Sequence, residues 1–397
     1  MREMTKCLHG KPVSAKGFAS LTTPVHRAST IVFNNIDAYA RRHESGSHGY
    51  SYGLYGTPTT RALEEKISAL HDGKHTLLLP SGQAAVAVSM LAVLSPGDHV
   101  LIPDTVYPPV RSFAVDMLHK ADIGVEFYDP MIGRDIARLV NSRTRLIWIE
   151  SPGSTTMEIQ DLPAIVEVAH SQGVLVGCDN TWATPLLFKP LTHGADIVIE
   201  AITKYVGGHS DLLMGSITVN DSDLHQRIKS TNGLLGLGVS PEDCYLALRG
   251  LETMAVRLAH SGSVALELAE WLTRSPVVTT VLHPALPSCP GHEIWKRDFS
   301  GSSGVFSVVF APQHQQTLYK AWDHLRFFAL GASWGGTKSL AVPMDLKGAR
   351  TVTTPPSGLL VRISVGLEDP ADLRSDLELL SSPSAVQEGS KELRIAG

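Results

Sequence analysis

Two ionisable residues stand where apolar strands run out. The stretch Ile197-Val198-Ile199-Glu200-Ala201-Ile202-Thr203-Lys204 ends in a lysine, and Val174-Leu175-Val176-Gly177-Cys178-Asp179 ends in a carboxylate. A lysine at the end of a buried strand is costly to desolvate, so its pKa falls readily and its amine can serve as a Schiff-base amine. The same spacing also fits a lysine whose stem snorkels to the surface. Asp179 read alone is equally a cap or turn residue before Asn180, but that reading leaves the lysine unaccounted for. On one side of a sheet the pair fits a pyridoxal 5'-phosphate site, with Lys204 as the amine and Asp179 keeping the pyridinium nitrogen protonated.

Such a cofactor needs a phosphate cradle. Ser81-Gly82-Gln83 sits at a strand-to-helix junction, where a small residue lets the backbone approach a ligand and the first helical N–H groups point outward. An ordinary N-cap serine followed by a turn glycine gives the same pattern. No G-x-G-x-x-G or G-x-x-x-x-G-K-[ST] fingerprint of a nucleotide site is present; Gly233-Leu234-Leu235-Gly236-Leu237-Gly238 follows no strand and reads as a flexible loop.

The elements that must position these residues are legible. Short apolar runs at 77–79, 99–102, 124–127, 146–149, 174–178 and 197–201 alternate with helix-period segments such as 162–170. That alternation predicts a mostly parallel sheet covered on both faces, a doubly wound α/β domain. Open α/β sheets bind ligands beyond the carboxyl ends of their strands. The residues just past the runs are Ser81-Gly82-Gln83, Asp104-Thr105-Val106-Tyr107, Ser151-Pro152-Gly153-Ser154, Asp179-Asn180-Thr181 and Thr203-Lys204. A long helical pattern at 247–268 closes this domain and leads into a smaller carboxyl-terminal α/β part with runs at 304–310 and 359–365. In the last run Leu359, Val361, Ile363 and Val365 take one face and Arg362 and Ser364 the other. A planar guanidinium suits bidentate carboxylate recognition, although a solvent-facing strand arginine fits the pattern as well. Residues 1–60, with His48-Gly49-Tyr50-Ser51-Tyr52 among them, carry few periodic apolar patterns and read as an extended arm. The polar stretch 381–397 reads as a frayed tail.

The 397 residues carry 34 Lys+Arg against 39 Asp+Glu, a net charge of −5 with no basic block, which argues against nucleic acid or an anionic membrane as partner. No apolar stretch approaches the roughly 20 residues of a membrane span, and the chain reads as soluble and cytoplasmic. Cys7, Cys178, Cys244 and Cys289 form neither a disulfide framework nor a zinc-ligand spacing. His292-Glu293-Ile294-Trp295-Lys296 misses the HExxH spacing, and His209 with Asp211 is too small a ligand set, so no metal is expected. Charged residues make up 18% of the chain, below the usual quarter, which points to surface buried between subunits.

Seven passages, in order, resemble the Cys/Met-metabolism family of pyridoxal-phosphate enzymes over 29–379. They begin at Tyr52-Gly53-Leu54-Tyr55-Gly56-Thr57-Pro58-Thr59, Asp179-Asn180-Thr181-Trp182-Ala183 and Ala201-Ile202-Thr203-Lys204-Tyr205-Val206-Gly207-Gly208-His209-Ser210-Asp211. Arg249-Gly250-Leu251-Glu252-Thr253, the segment from Gly291 to Phe299, Ser333-Trp334-Gly335-Gly336 and the segment from Val361 to Asp369 follow. The resemblance implies a fold type I architecture: an amino-terminal arm (1–60) contacting a neighbouring subunit, a pyridoxal-phosphate domain (61–255) and a carboxyl-terminal domain (256–397). It implies Lys204 as the Schiff-base lysine, Asp179 as pyridinium partner, Tyr107 stacked on the cofactor ring, and Ser81, Gly82, Gln83 and Thr203 around the phosphate. Tyr52 would reach the phosphate of the neighbour, implying a homodimer of shared sites, usually paired into a tetramer. Tyr107 and Tyr52 would modulate proton transfers, and Arg362 would clamp the substrate α-carboxylate beside Ser333 and Trp334.

The expected activity is trans-sulfuration chemistry on a thioether amino acid. Trp334 stands where γ-acting members have Leu, and Ser151-Pro152-Gly153-Ser154 replaces their Asn-Pro turn. Both favour β-elimination from L-cystathionine, to homocysteine, pyruvate and ammonia, over γ-chemistry; core packing is the plainer reading of Trp334. The alternatives are a γ-lyase or γ-synthase of the same family and a non-catalytic protein that keeps the fold. Three departures stand out: Leu54 replaces a phosphate-contacting arginine of the arm, Ala201 a serine before the lysine, and Lys338 a common glutamate.

Overall fold

The computed structural model describes residues 1–9, 17, 20–42 and 49–381. Strands β1 (His75–Leu79), β2 (His99–Pro103), β3 (Gly124–Tyr128), β4 (Thr144–Glu150), β5 (Leu175–Asp179), β6 (Ile197–Glu200) and β7 (Gly215–Val219) form one sheet in the order β1-β7-β6-β5-β4-β2-β3. The pairs from β3 through β6 are parallel; β7 runs antiparallel to both β1 and β6. All six expected strands are present within a residue or two of their apolar runs. The seventh, Gly215-Ser216-Ile217-Thr218-Val219, is too mixed in polarity for a buried run, yet every residue in it is buried. Its threonine is accommodated because Thr218 Oγ1 bonds Thr76 Oγ1 on β1 at 2.9 Å, whereas the buried Ser216 hydroxyl has no partner.

A second sheet, β8 (Val278–Leu282), β9 (Val305–Phe310), β10 (Leu340–Met344) and β11 (Leu359–Ser364), is antiparallel in the order β10-β11-β9-β8. The helices are α1 (Glu3–Leu8), α2 (Ile36–Ala40), α3 (Pro58–Leu70), α4 (Gly82–Val93), α5 (Pro108–Phe113), α6 (Leu162–Ser171), α7 (Thr184–Leu187), α8 (Ser222–Leu235), α9 (Pro241–Leu272), α10 (His292–Asp298), α11 (Gln315–Trp322) and α12 (Pro370–Ser381).

Helix α9 ties the two sheets together. Its first half, including Cys244, Leu248, Leu251 and Met254, packs in the core beside the large sheet, and its second half, from Val264 to Leu272, in the core of the small one. The expected boundary at 255/256 therefore lies inside a continuous helix, and the change of core falls between Leu258 and Val264.

Two local readings change. The glycine-rich stretch 233–238 is not a loop throughout: Gly233 belongs to α8, and Gly236, at φ +66°, is its left-handed C-cap. The arm is not wholly extended either, because α1 seals Cys7 (1% exposed) into the chain's own large core. Farther along, Leu21, Val32, Ile36 and Tyr39 are exposed. His48 and residues 382–397 lie outside the described residues.

Candidate active site

Five strand ends of the large sheet and two strands of the small sheet, β9 at Val305 and β11 at Arg362, converge on a single cleft with about 220 Å³ of space. Ser81, Gly82, Gln83, Tyr107, Asp179, Thr203, Lys204, Trp334 and Arg362 all line it. The strand-end rule thus brings together residues up to 281 positions apart, from Ser81 to Arg362.

At the floor of the cleft, Asp179 closes β5. Its Oδ1 accepts from the Thr181 N–H at 2.9 Å and from the Thr181 hydroxyl. Burial raises its pKa to about 6 against the lowering effect of those hydrogen bonds and of Lys204, with Glu200 adding to the rise. Lys204 follows the turn after β6, and its Nζ donates to Ser333 Oγ at 2.8 Å and lies 5.1 Å from the centre of the Trp334 ring. Burial, together with the Arg362 cation, lowers its pKa to about 8, opposed by Asp179. The lysine therefore does not snorkel to open solvent; it is a partly desolvated amine held over the cleft.

The cradle is built by α4. Ser81 caps it, its Oγ accepting from the Ala84 N–H at 3.0 Å, which leaves the Gly82 and Gln83 N–H groups at the helix start without intrahelical acceptors. A Cβ on Gly82 would lie 2.6 Å from Cβ of Ala201, and one on Gly215 would lie 2.3 Å from the Ser81 carbonyl oxygen. Both glycines let the loop sit flat against the neighbouring chain. Ala201, the departure from the family serine, is the residue that Gly82 abuts. Gln83 donates from Nε2 to the Pro109 carbonyl at 3.2 Å, while its buried Oε1 has no partner. Thr203 lines the cleft, but its hydroxyl is engaged with the Met214 backbone, donating to the carbonyl at 3.1 Å and accepting from the N–H at 3.0 Å.

Opposite this floor stand Tyr107, 43% exposed at the start of α5, and Arg362, 9% exposed on β11. The alternation read from sequence holds: Leu359, Val361, Ile363 and Val365 pack in the small-sheet core, and Arg362 faces the cleft. Its Nη2 donates to the Ser333 carbonyl at 3.2 Å. Ser333 is exposed and joins Lys204 to Arg362, its hydroxyl serving one and its carbonyl the other. Trp334 both lines the cleft and packs on Tyr205, with ring centres 5.5 Å apart, so its packing and site readings coexist.

Tyr52 does not reach this cleft; it is 50% exposed on the arm and pairs with Thr30 in an isolated bridge. Leu54 lies nearby against the Gly238 stretch rather than at the cleft, and Lys338 is exposed. Among the described residues no group of three or more His, Cys, Asp or Glu could hold a metal, all four cysteines are buried free thiols, and no helix is long and apolar enough to cross a membrane.

One ionisable lining residue escaped the sequence reading. Glu150 ends β4 directly opposite Asp179 in the β4–β5 register, and its Oε2 accepts the Tyr107 N–H at 2.7 Å. Burial and the Asp179 carboxylate push its pKa well above the usual carboxylate range. The signal was the one that marked Asp179, a carboxylate ending an apolar strand.

A doubly wound sheet whose strand ends gather a desolvated lysine, a buried aspartate and a glycine-floored helix start defines a pyridoxal-phosphate-dependent enzyme. The polar set fits that group: N–H groups without intrahelical acceptors stand at the phosphate end, and a carboxylate able to accept from a pyridinium N–H stands at the pyridine end. The profile of the Cys/Met metabolism PLP-dependent enzymes matches residues 4–379. A provisionally named cystathionine beta-lyase of Rhizobium johnstonii is 47% identical over 371 residues, covering 92% of each chain. The L-alanine/L-glutamate racemase of Wolbachia pipientis is 40% identical over 371 residues (90% of this chain, 91% of that one), and cystathionine beta-lyase MetC of Escherichia coli is 38% identical over 368 (90% and 93%). The crystal structure of metB from Corynebacterium glutamicum superposes with a TM-score of 0.89 at 30% identity, covering 97% of this chain and 98% of that one. The chain belongs to the Cys/Met metabolism family of pyridoxal-phosphate-dependent enzymes.

Proposed function

We propose that the protein is a carbon–sulfur β-lyase that converts L-cystathionine and water to homocysteine, pyruvate and ammonia. The observation that carries this reading is the convergence of Lys204, Asp179, Arg362 and Trp334 on one cleft, and the lyase names of the Rhizobium and Escherichia relatives support it. Pyridoxal phosphate bound in the cleft supplies an electron sink for charge developing at the substrate Cα. Asp179 holds the pyridine end, and the α4 start with Ser81, Gly82 and Gln83 holds the phosphate, while Thr203 lines the cleft with its hydroxyl engaged on Met214. Arg362 clamps the α-carboxylate and so fixes which Cα bond lies under Lys204. The Lys204 amine takes the Cα proton; a pKa near 8 keeps an appreciable neutral fraction at working pH. The Cβ–S bond breaks with its electron pair going to sulfur, and Tyr107 is the second ionisable group beside the departing thiolate. Tyr52 completes the phosphate site of a neighbouring copy, which makes the active unit a homodimer, further paired into a tetramer, and the setting is cytoplasmic. The arm, large domain and carboxyl-terminal domain divide the work as cover, cofactor platform and carboxylate clamp.

Identifying the keto acid released from L-cystathionine tests the reading: pyruvate is expected, and 2-oxobutyrate as the main product reassigns the protein to γ-chemistry. A second reading, amino-acid racemisation, rests on the 40% identity to the Wolbachia racemase. Without a leaving group at Cβ, the proton lost from Cα can return to either face. D-alanine formed from L-alanine faster than pyruvate from cystathionine would favour it.

A further inference from the structure

Behind the cleft, on the opposite face of the large sheet, lies a buried polar cluster that the chemistry at Lys204 does not touch. Glu200 ends β6, and its Oε2 accepts from Nε2 of His71, the C-cap residue of α3, at 3.2 Å; both side chains are buried. Ser216 stands opposite Glu200 on β7, and the hydroxyls of Thr218, Thr76 and Ser68 continue the cluster at spacings of 2.9 and 2.7 Å. A carboxylate only accepts, so the shared proton sits on Nε2. The buried Nδ1 has no partner to hold a second proton, and the pair keeps the negative charge of Glu200. Burying that charge is costly, and an apolar side chain would fill the position at lower cost.

The charge lies directly behind the carboxylate at the floor of the cleft. In the β5–β6 register Asp179 stands beside Ile199, so Glu200 is one residue farther along and points to the other face. A hydrogen-bonded path joins the two: the Ala201 N–H, next in chain after Glu200, donates to Thr181 Oγ1 at 2.9 Å, and that hydroxyl donates to Asp179 Oδ1. We propose that Glu200 is a positioning residue for the cofactor's pyridine ring: held by His71, its charge acts through the sheet to keep Asp179 basic enough to retain a proton on the ring nitrogen. This rests on the assignment of Asp179 to the pyridine end. A negative potential behind Asp179 favours the pyridinium cation in front of it. It acts in the same direction as burial, the larger cause of the raised Asp179 pKa of about 6. The other titratable groups that reach Asp179 are Glu150, Tyr107, Cys178 and Lys204, and Cys7 of α1 reaches Glu200. Of these only Glu150 is a second carboxyl, and its raised pKa reduces the charge it applies.

Two substitutions separate charge from shape. Glu200→Gln keeps the shape, and the fold tolerates it because His71 can change tautomer and accept from the new amide; Glu200→Asp shortens the side chain and keeps the charge. Infrared titration of the full-length cofactor-free protein, with the Asp179→Asn spectrum subtracted, reads the Asp179 carboxyl. Its pKa is expected to fall by about one unit in Glu200→Gln, the lower end of what a neighbouring charge does, and to hold in Glu200→Asp. The dissociation constant for pyridoxal phosphate is expected to rise by up to about tenfold in Glu200→Gln, the factor equivalent to one unit, and to hold in Glu200→Asp. An Asp179 carboxyl or a cofactor affinity unmoved in Glu200→Gln overturns the proposal, as do equal shifts in both variants, the result of lost packing. If Asp179→Asn binds pyridoxal phosphate as tightly as the wild type, the pyridine-end assignment itself fails, and the infrared titration still decides whether Glu200 acts on Asp179.

Discussion

Asp104 offers a sharp test of how the two sheets are locked around the cleft. It follows β2, is fully buried at its side chain, and accepts six hydrogen bonds. Oδ1 takes the Thr351 N–H (2.9 Å), the Thr351 hydroxyl (3.1 Å) and Arg111 Nη2 (3.0 Å), while Oδ2 takes the N–H groups of Val352 (3.1 Å) and Thr353 (2.8 Å) and the Thr353 hydroxyl (2.9 Å). Thr351, Val352 and Thr353 lie between β10 and β11, so one carboxylate staples the small sheet's connection to the large sheet. Just before them Arg350 reaches Thr156, next to the cleft-lining Thr155. In Asp104→Asn the amide keeps one acceptor side and turns an NH2 toward donors on the other. Either rotamer leaves backbone N–H groups facing a donor, at roughly 1–3 kcal/mol each, and strips Arg111 of its counter-charge. Breaking a buried pair this way costs about 3–5 kcal/mol. Local opening of the 351–353 segment should become easier by roughly two decades or more, at about 1.4 kcal/mol per decade. Amide hydrogen exchange at these three residues reads that directly, and unchanged protection in the variant would refute the argument. Acid acts the same way. Burial pushes the Asp104 carboxyl up, but the Thr351, Thr353 and Val352 donors more than offset it and hold the pKa below its ordinary value. A carboxylate with a lowered folded pKa stabilises fully above its unfolded value, about 4, and loses that contribution as pH falls through the folded value. Protection at 351–353 should therefore fade below pH 4.

Three further outcomes follow from the site. The folded pKa of Lys204 is about 8 against an ordinary 10.5, so between these values the unfolded chain binds the extra proton; urea stability of the cofactor-free protein should rise with pH over that window by up to about 3 kcal/mol, and the Lys204→Met difference curve should isolate the rise. Arg362→Lys keeps the charge but loses the planar fork, and kcat/KM should drop about 10- to 100-fold, carried mainly by KM and visible in steady-state kinetics. Mixing inactive Tyr52→Ala and Lys204→Ala subunits should regain roughly a quarter of wild-type activity if the arm completes the neighbour's site, because half of randomly paired dimers carry one intact site; no recovery on mixing would remove Tyr52 from that role.

What the chain's sequence determined by itself is local and periodic. Continuous apolar runs announced six strands of the large sheet, and the polar residues past their ends named Ser81, Tyr107, Asp179 and Lys204, because a strand buried on both faces has to surface where its apolar run stops. Alternation along β11 aimed Arg362 correctly, since successive strand side chains point to opposite faces. Tertiary structure decided what depends on partners distant in sequence. It put Glu150 beside Asp179 through the β4–β5 register, placed β7 between β1 and β6, and gave Asp104 its donors nearly 250 residues away. It also turned Pro108, Leu330 and Val342 into one groove beside Arg362. Apart from Glu150, which ends an apolar strand as Asp179 does, none of these residues carries a local pattern for its role, because a hydrogen-bond acceptor or an apolar wall acquires its meaning only from what the fold sets against it.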